Sequence, residues 1–381
     1  MELESVLHFL ENKTILVTGA TGFLAKVFVE KILRCQPNIK KLYLLLRATD
    51  TESVSHRLHH EVFGKKLFKI QRDKWGEKFS SFLSEKVVAV AGDVSLHNFG
   101  IKDQILIEEM LEEIDIIVHS AATTRLDERF DVAMDTNTMG AYNAINFAKM
   151  CHKIEFFLQV STAYVCGEAK GQIPEKPFLM GQTLKSSSEL DINLEKQLIK
   201  KKLSELQSQN ANQETITSIM KEFGTIRANL HGWPNTYVFT KAMGEMVVTN
   251  MKGNIPLIIT RPTVIIGTLS EPFPGWIEDV RTIDYVFVEY FKGAITSFVG
   301  NPKITADLGS RLKRIMNMYR PYLHFEGIFD DKNTEKLRMA IKGVGSVERK
   351  FNLDPKSIDW KEYLVNVHFP GLLKYSMQPK M

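Results

Sequence analysis

Lys13-Thr-Ile-Leu-Val-Thr-Gly-Ala-Thr-Gly-Phe-Leu-Ala25 decides the fold. Thr14 to Thr18 is an apolar, β-branched run, the signature of a parallel strand buried on both faces. Gly19 and Gly22 follow at once, and from Phe23 to Leu33 the apolar residues take helical spacing. Strand, glycine turn and helix in that order is the setting in which a glycine pattern carries meaning. Gly19 can adopt the positive φ of a tight turn, and Gly22 lets the backbone approach a pyrophosphate. The helix start offers that anion unpaired N–H groups and the positive end of the helix dipole. Ala25 is small enough for the helix to pack close to the strand.

Further strands follow on the same rhythm. Lys41-Leu-Tyr-Leu-Leu-Leu-Arg47 reads as the second. A dinucleotide fold that takes NAD places a carboxylate near the end of this strand, for the ribose 2′-hydroxyl. Here the strand ends in Arg47, with no carboxylate before Asp50. An arginine there suits a 2′-phosphate, so NADP is the expected cofactor. Residues 52–85 read as polar helix and loop, with Trp75 and several phenylalanines to dock. Lys86 to Asp93 is the third strand, with Asp93 at the end where open α/β sheets bind ligands; a helix or turn cap is the alternative reading of Asp93, compatible with the first. Ile114 to Ala122 is the fourth strand and its exit, whose small residues Ser120-Ala-Ala122 allow close passage to a dinucleotide. His119 reads as a structural strand-end residue. Asp131 to Met150 reads as a helix carrying Asn137, as a buried brace or a holder of the site. Phe156 to Val165 is the fifth strand, with Ser161, Thr162 and Tyr164 at its carboxyl end. Strands alternating with helices give an α/β fold with a doubly wound parallel sheet.

The rhythm breaks over residues 170–232, read as an inserted, solvated helical arm with a basic knot at Lys200-Lys-Lys202. It resumes with a helix from Pro234 to about Met251 and a sixth strand from Pro256 to Gly267, where Pro262 implies an edge or a bend. Residues 279–298 are apolar-aromatic and helix-prone. From Arg311 the chain turns aromatic, basic and helical, with a helix from about Thr334 and an Asp354-Pro355 cap.

Bulk composition excludes several classes. The 381 residues carry 49 basic and 45 acidic side chains, too mild a balance to argue for nucleic acid. Cys35, Cys151 and Cys166 have no metal-ligand spacing, so reduced thiols and no metal site are expected. No apolar run is long enough to span a bilayer, and the acidic start Met1-Glu-Leu-Glu reads as neither signal nor transit peptide. Cytosol, or the cytosolic face of a membrane, is the expected location.

The chemistry rests on Tyr237 and Lys241, four apart on one helix face. When hydride reaches a carbonyl carbon, negative charge develops on the oxygen. A tyrosine can protonate it, but a phenol with a pKa near 10 is sluggish. A neighbouring ammonium favours the phenolate and lowers that pKa, and the lysine can also hold the nicotinamide ribose. Thr162 can hydrogen-bond the same oxygen. Ser161, one residue earlier, points to the opposite face of a strand. Nothing in the sequence suggests a Ser-His-Asp hydrolase or a flavin site.

Thr18-Gly-x-x-Gly-Phe-x-Ala25 resembles the extended short-chain dehydrogenase/reductase superfamily. Val-His-Ser-Ala-Ala-Thr-Thr, Val-Ser-Thr-Ala-Tyr-Val, Pro-Asn-Thr-Tyr-Val-Phe-Thr-Lys-Ala-Met-Gly-Glu and Glu-Pro-Phe-Pro-Gly-Trp-Ile-Glu narrow the resemblance to the plant alcohol-forming fatty acyl-CoA reductases. The run Tyr319 to Arg338 is similar to their small C-terminal domain. The resemblance spans about residues 8–372. It implies a Rossmann-type reductase domain over 1–302, with the insertion at about 170–232, and a shortened helical domain over 303–381. It also implies reduction of a long-chain fatty acyl-CoA by NADPH to an aldehyde and then a primary alcohol. Tyr237 would be the general acid, Lys241 its modulator and Thr162 the second oxygen ligand. Gly19, Thr21, Gly22, Phe23, Leu24, Arg47 and Asp93 would hold the cofactor, with Tyr237 and Lys241 at its nicotinamide end. One departure stands out: after Phe298-Val-Gly-Asn-Pro302 a block of the family pattern is missing. A catalytically impaired NADP-binding remnant is therefore an alternative; another extended reductase, such as a sugar-nucleotide epimerase, is argued against by the C-terminal run. The Lys200 knot and Arg311-Leu-Lys-Arg mark a candidate peripheral membrane contact.

Overall fold

A computed structural model describes residues 4–186, 189–280, 282–291, 310–323, 325–342 and 351–376. Its centre is a six-stranded, wholly parallel sheet. In chain order the strands are β1 (Thr14–Thr18), β2 (Lys41–Leu46), β3 (Val87–Ala91), β4 (Ile116–His119), β5 (Phe156–Val160), β6 (Gly171–Ile173), β7 (Leu257–Thr260) and β8 (Gly327–Phe329). The sheet runs β3-β2-β1-β4-β5-β7, and β6 pairs with β8 apart from it. The order reverses between β1 and β4, where a doubly wound sheet opens its ligand crevice. All five residues of β1 are buried, as expected of a strand covered on both faces.

One face of the sheet, through Leu16, Ile117 and Phe157, shares a core with Ala141, Ala144 and Phe147 of the helix Gly140–Met150. Val248 of the helix Thr236–Met251 belongs to the same core. The helix carrying Tyr237 and Lys241 is thereby fixed against the strands whose ends it must serve.

Two sequence expectations are corrected. The sixth strand, read to Gly267, stops at Thr260. Pro262 has no N–H to give a ladder, and β7 is the sheet edge; the Pro262 carbonyl instead accepts from Ala163 N–H at 2.9 Å. The insertion is helical and largely solvent-facing, as expected, but it is docked rather than a free arm. Its helices, Ile192–Ser208 and Gln213–Leu230, are anchored by buried Glu195, which takes a forked ion pair from Arg227 and lies 3.1 Å from His231 Nε2. Phe223 meets Phe130 edge-on at 5.9 Å, and the Trp233 indole donates to the Val165 carbonyl at 2.7 Å. High charge on these helices hid a narrow apolar face.

Trp75 docks by stacking on Phe82 at 4.2 Å. The chain divides into two compact units, Met1–Thr263 with Gly327–Glu348, and Val264–Glu326 with Arg349–Met381. The first holds both sheets. In the second, Ile277, Val288 and Leu372 form a small core, beside which buried His368 and Asp284 meet at 2.7 Å. The helix Lys332–Ile341 and the Asp354 cap occur where the sequence places them. The helix expected over 279–298 is seen over Thr282–Phe291; Asp279 and Val280 are not helical, and 281, 292–298 and the shortened stretch after Pro302 lie outside the described residues. Among the described residues, no helix is long and apolar enough to cross a membrane, and no cluster of His, Cys, Asp or Glu could hold a metal.

Candidate active site

Gly19 follows β1 directly and has φ +72°. A Cβ there would lie 2.7 Å from Ala121 Cα, so the β4 exit runs against the glycine turn. The small residues of that exit therefore serve this packing. Gly22 is exposed, caps the helix Phe23–Cys35 with no side-chain bond, and the first helical turn carries no acid. The N–H groups and the positive dipole end at that helix start fit a pyrophosphate. Thr21 and Leu24 flank them half-buried, while the Phe23 side chain is buried in the core.

At the β2 and β3 ends, Arg47 lies 3.7 Å from Asp93, with its side chain 64% exposed. Asp93 Oδ1 also accepts from Ser95 N–H at 2.9 Å, so Asp93 is a turn cap as well as the arginine's partner. Asp50, the first carboxylate after Arg47 in the chain, caps the helix Thr51–Leu58 through Ser53 N–H. Arg47 thus stands just beyond the carboxyl end of β2 with a solvent-facing side chain.

The helix Thr236–Met251 lies beside the carboxyl end of β5. Asn235 caps that helix by accepting from Val238 N–H at 3.1 Å. Lys241 is buried, and its Nζ donates to the Val160 carbonyl at 2.6 Å, two residues before Thr162. Thr162 is buried and caps the turn Ala163–Cys166, which packs on the same helix. Tyr237 is half-buried one turn before Lys241. Burial pulls the Lys241 ammonium down to about 8, against the opposing pull of Glu245. Lys241 can therefore lose its proton at mildly alkaline pH, well below an ordinary lysine.

Asn137, read from the sequence as a brace or a holder of the site, gains partners only in three dimensions, and Glu245, Arg261 and Phe329 join it. Asn137 braces the site: its Oδ1 accepts from Thr123 N–H at 2.9 Å and its Nδ2 donates to Thr240 Oγ1 at 3.0 Å. Glu245, fully buried, takes a forked pair from Arg261 at 2.9 and 2.6 Å. The β6–β8 pairing brings Phe329 to Tyr164, edge to face at 6.4 Å, two residues beyond Thr162. The sequence signals Asn137 but not its partners, and Glu245, Arg261 and Phe329 carry no local pattern, because each meets its partner through tertiary packing rather than helical or strand spacing.

The chain matches a nucleotide-binding family described as Male sterility protein over residues 17–310, and a second Male sterility protein family over 285–379. Over 98% of its length it is 42% identical to fatty acyl-CoA reductase 8 of Arabidopsis thaliana, covering 99% of that protein. The chain belongs to the fatty acyl-CoA reductase family. The alcohol-forming fatty acyl-CoA reductase of Simmondsia chinensis is 41% identical, with 98% of this chain and 99% of that one covered. The terminal reductase domain of the myxalamid pathway shares the fold, at TM-score 0.50 and 16% identity, over 91% of this chain and 80% of that one.

This reductase-family chain is short. Its alignment with the Arabidopsis relative runs over 492 positions, to which 98% of 381 residues contributes about 373, so about 119 positions (492 less 373) face no residue here. The two family matches overlap within 285–310, a span that includes the point after Pro302 where the sequence reads as shortened. The family's nucleotide-binding domain makes the cofactor a nicotinamide dinucleotide.

Proposed function

We propose that this protein reduces long-chain fatty acyl-CoA to a primary alcohol, by way of the aldehyde, with NADPH as reductant. The observation that carries the reading is the near full-length likeness to fatty acyl-CoA reductases, on a chain whose Lys241 reaches the Thr162 end of β5. The cofactor, when bound, supplies hydride. Thr162 and Tyr237 hold the carbonyl oxygen of the thioester while its charge develops. Tyr237 protonates that oxygen, with the Lys241 ammonium favouring the phenolate left behind. The hemithioacetal so formed expels CoA as its thiol and leaves the aldehyde, whose oxygen the same hydroxyls hold for a second reduction. Tyr164 and Phe329 set aromatic surface beside Thr162, suited to an apolar chain.

The reading places the cofactor on Gly19, Thr21, Gly22, Phe23 and Leu24, with Arg47 at the 2′-phosphate and Asp93 near the adenine. Arg47→Ala should weaken NADPH about tenfold and NADH little, the loss of one charge-assisted contact. Exposed Lys200 and Lys201 support peripheral contact with an anionic membrane surface; raised salt should then strip the protein from anionic vesicles.

The deciding experiment mixes purified protein, NADPH and a long-chain acyl-CoA and follows loss of the reduced cofactor's absorbance. Oxidation that disappears in Tyr237→Phe supports the proposal. NADPH binding without turnover would favour a non-catalytic remnant, the reading that the shortened chain keeps open.

A further inference from the structure

The carboxyl ends of β1 and β4 are the lips of the crevice, and a single side chain joins them. Thr18 Oγ1 lies 2.9 Å from His119 Nδ1. The same oxygen accepts from Ser120 N–H at 3.2 Å and from Ala121 N–H at 3.1 Å. A hydroxyl has two lone pairs and one hydrogen. Both lone pairs are taken, so the hydrogen must go to Nδ1. His119 therefore accepts at Nδ1, carries its own proton on Nε2, and is neutral. An imidazolium would aim a second hydrogen at an oxygen with no lone pair left. Burial, with Lys241 nearby, agrees by holding His119 down to about 3.

His119 and Thr18 are almost fully buried, and among the described residues Nε2 has no hydrogen-bond partner. Among those residues the ring's one hydrogen bond is thus the one that fixes the Thr18 hydroxyl. That hydroxyl fixes the backbone of Ser120 and Ala121, which Gly19 meets with no room for a Cβ. A rotated Thr18 would free the β4 exit to drift from the glycine turn.

We propose that His119 is a positioning residue for the dinucleotide: a neutral imidazole acceptor that locks Thr18, and through it both lips of the pyrophosphate crevice, in binding geometry. This deepens the reading that the crevice takes a nicotinamide cofactor. It distinguishes a polar clamp from core packing, because the two roles need different replacements. Asparagine places an acceptor where Nδ1 stands and sacrifices only the unpartnered Nε2 side. Phenylalanine keeps the ring volume and the packing on Phe157, whose ring lies 6.2 Å away, but accepts nothing.

The test is NADPH affinity by titration of nucleotide fluorescence on the full chain, with the far-ultraviolet dichroism and melting midpoint of every variant recorded beside it. H119F should weaken NADPH about tenfold, the scale of one buried hydrogen bond, while H119N stays within about threefold of wild type. T18V, which keeps the threonine shape, should match H119F, and the double variant should be no worse than either single change. The KM for NADPH should rise while kcat holds. Should H119F misfold, T18V alone reads the clamp. Wild-type affinity in H119F or T18V, or H119F binding better than H119N, would overturn the proposal and leave the cofactor reading standing. Absence of NADPH binding in the wild type would overturn both.

Discussion

Replacing Lys241 by methionine separates what its charge costs from what it does. The Nζ is buried, and burial lowers the ammonium from the ordinary 10.5 to about 8. A folded pKa below the unfolded one means that the folded state holds fewer protons between those values. Stability is then complete above 10.5, lost as the pH falls towards 8, and level below it. The fall corresponds to roughly 3 kcal/mol of destabilisation at pH 7. Methionine removes that term, but it also removes the bond to the Val160 carbonyl, a loss of about 1–3 kcal/mol that does not vary with pH. The two nearly cancel at neutrality, so a single measurement would decide little. The pH dependence decides it: from pH 7 to pH 9 the wild type should gain about 1 kcal/mol on K241M. Urea unfolding of both proteins at pH 7, 8 and 9 reads this directly. A difference flat across that range would show that the ammonium is not desolvated as the geometry requires.

Three further outcomes are expected. Turnover should fall as the pH rises through about 8, since the ammonium is lost there, and E245Q should move that alkaline limb lower by removing the carboxylate that supports the charge; a pH–rate profile reads both. G19A should cost about 2–4 kcal/mol in a denaturant melt, from the positive φ and the Ala121 clash together; G22A, with φ −74° and only Gly19 O within reach, should cost less than about 1 kcal/mol. E195Q should lose about 3 kcal/mol by leaving Arg227 unpaired at a buried site, in one cooperative transition with the sheet, whereas a detached insertion would melt separately.

The sequence by itself determined what is local. β1 is legible because five consecutive buried residues can all be apolar or threonine. The glycine turn is legible because a positive φ admits few side chains, and the pairing of Tyr237 with Lys241 because 3.6 residues per turn puts i and i+4 on one face. The departure after Pro302 is legible as a break in a known pattern. The tertiary structure alone decided what register and packing bring together. Thr18 and His119 become neighbours only because β1 pairs with β4 in that register, and Glu195 is buried only because Arg227 and His231 fold back onto it. Phe329 reaches Tyr164 only through a strand pairing across some 150 residues. Hydrogen-bond partners and burial are properties of pairs distant along the chain, and one sequence specifies them only through the folded whole.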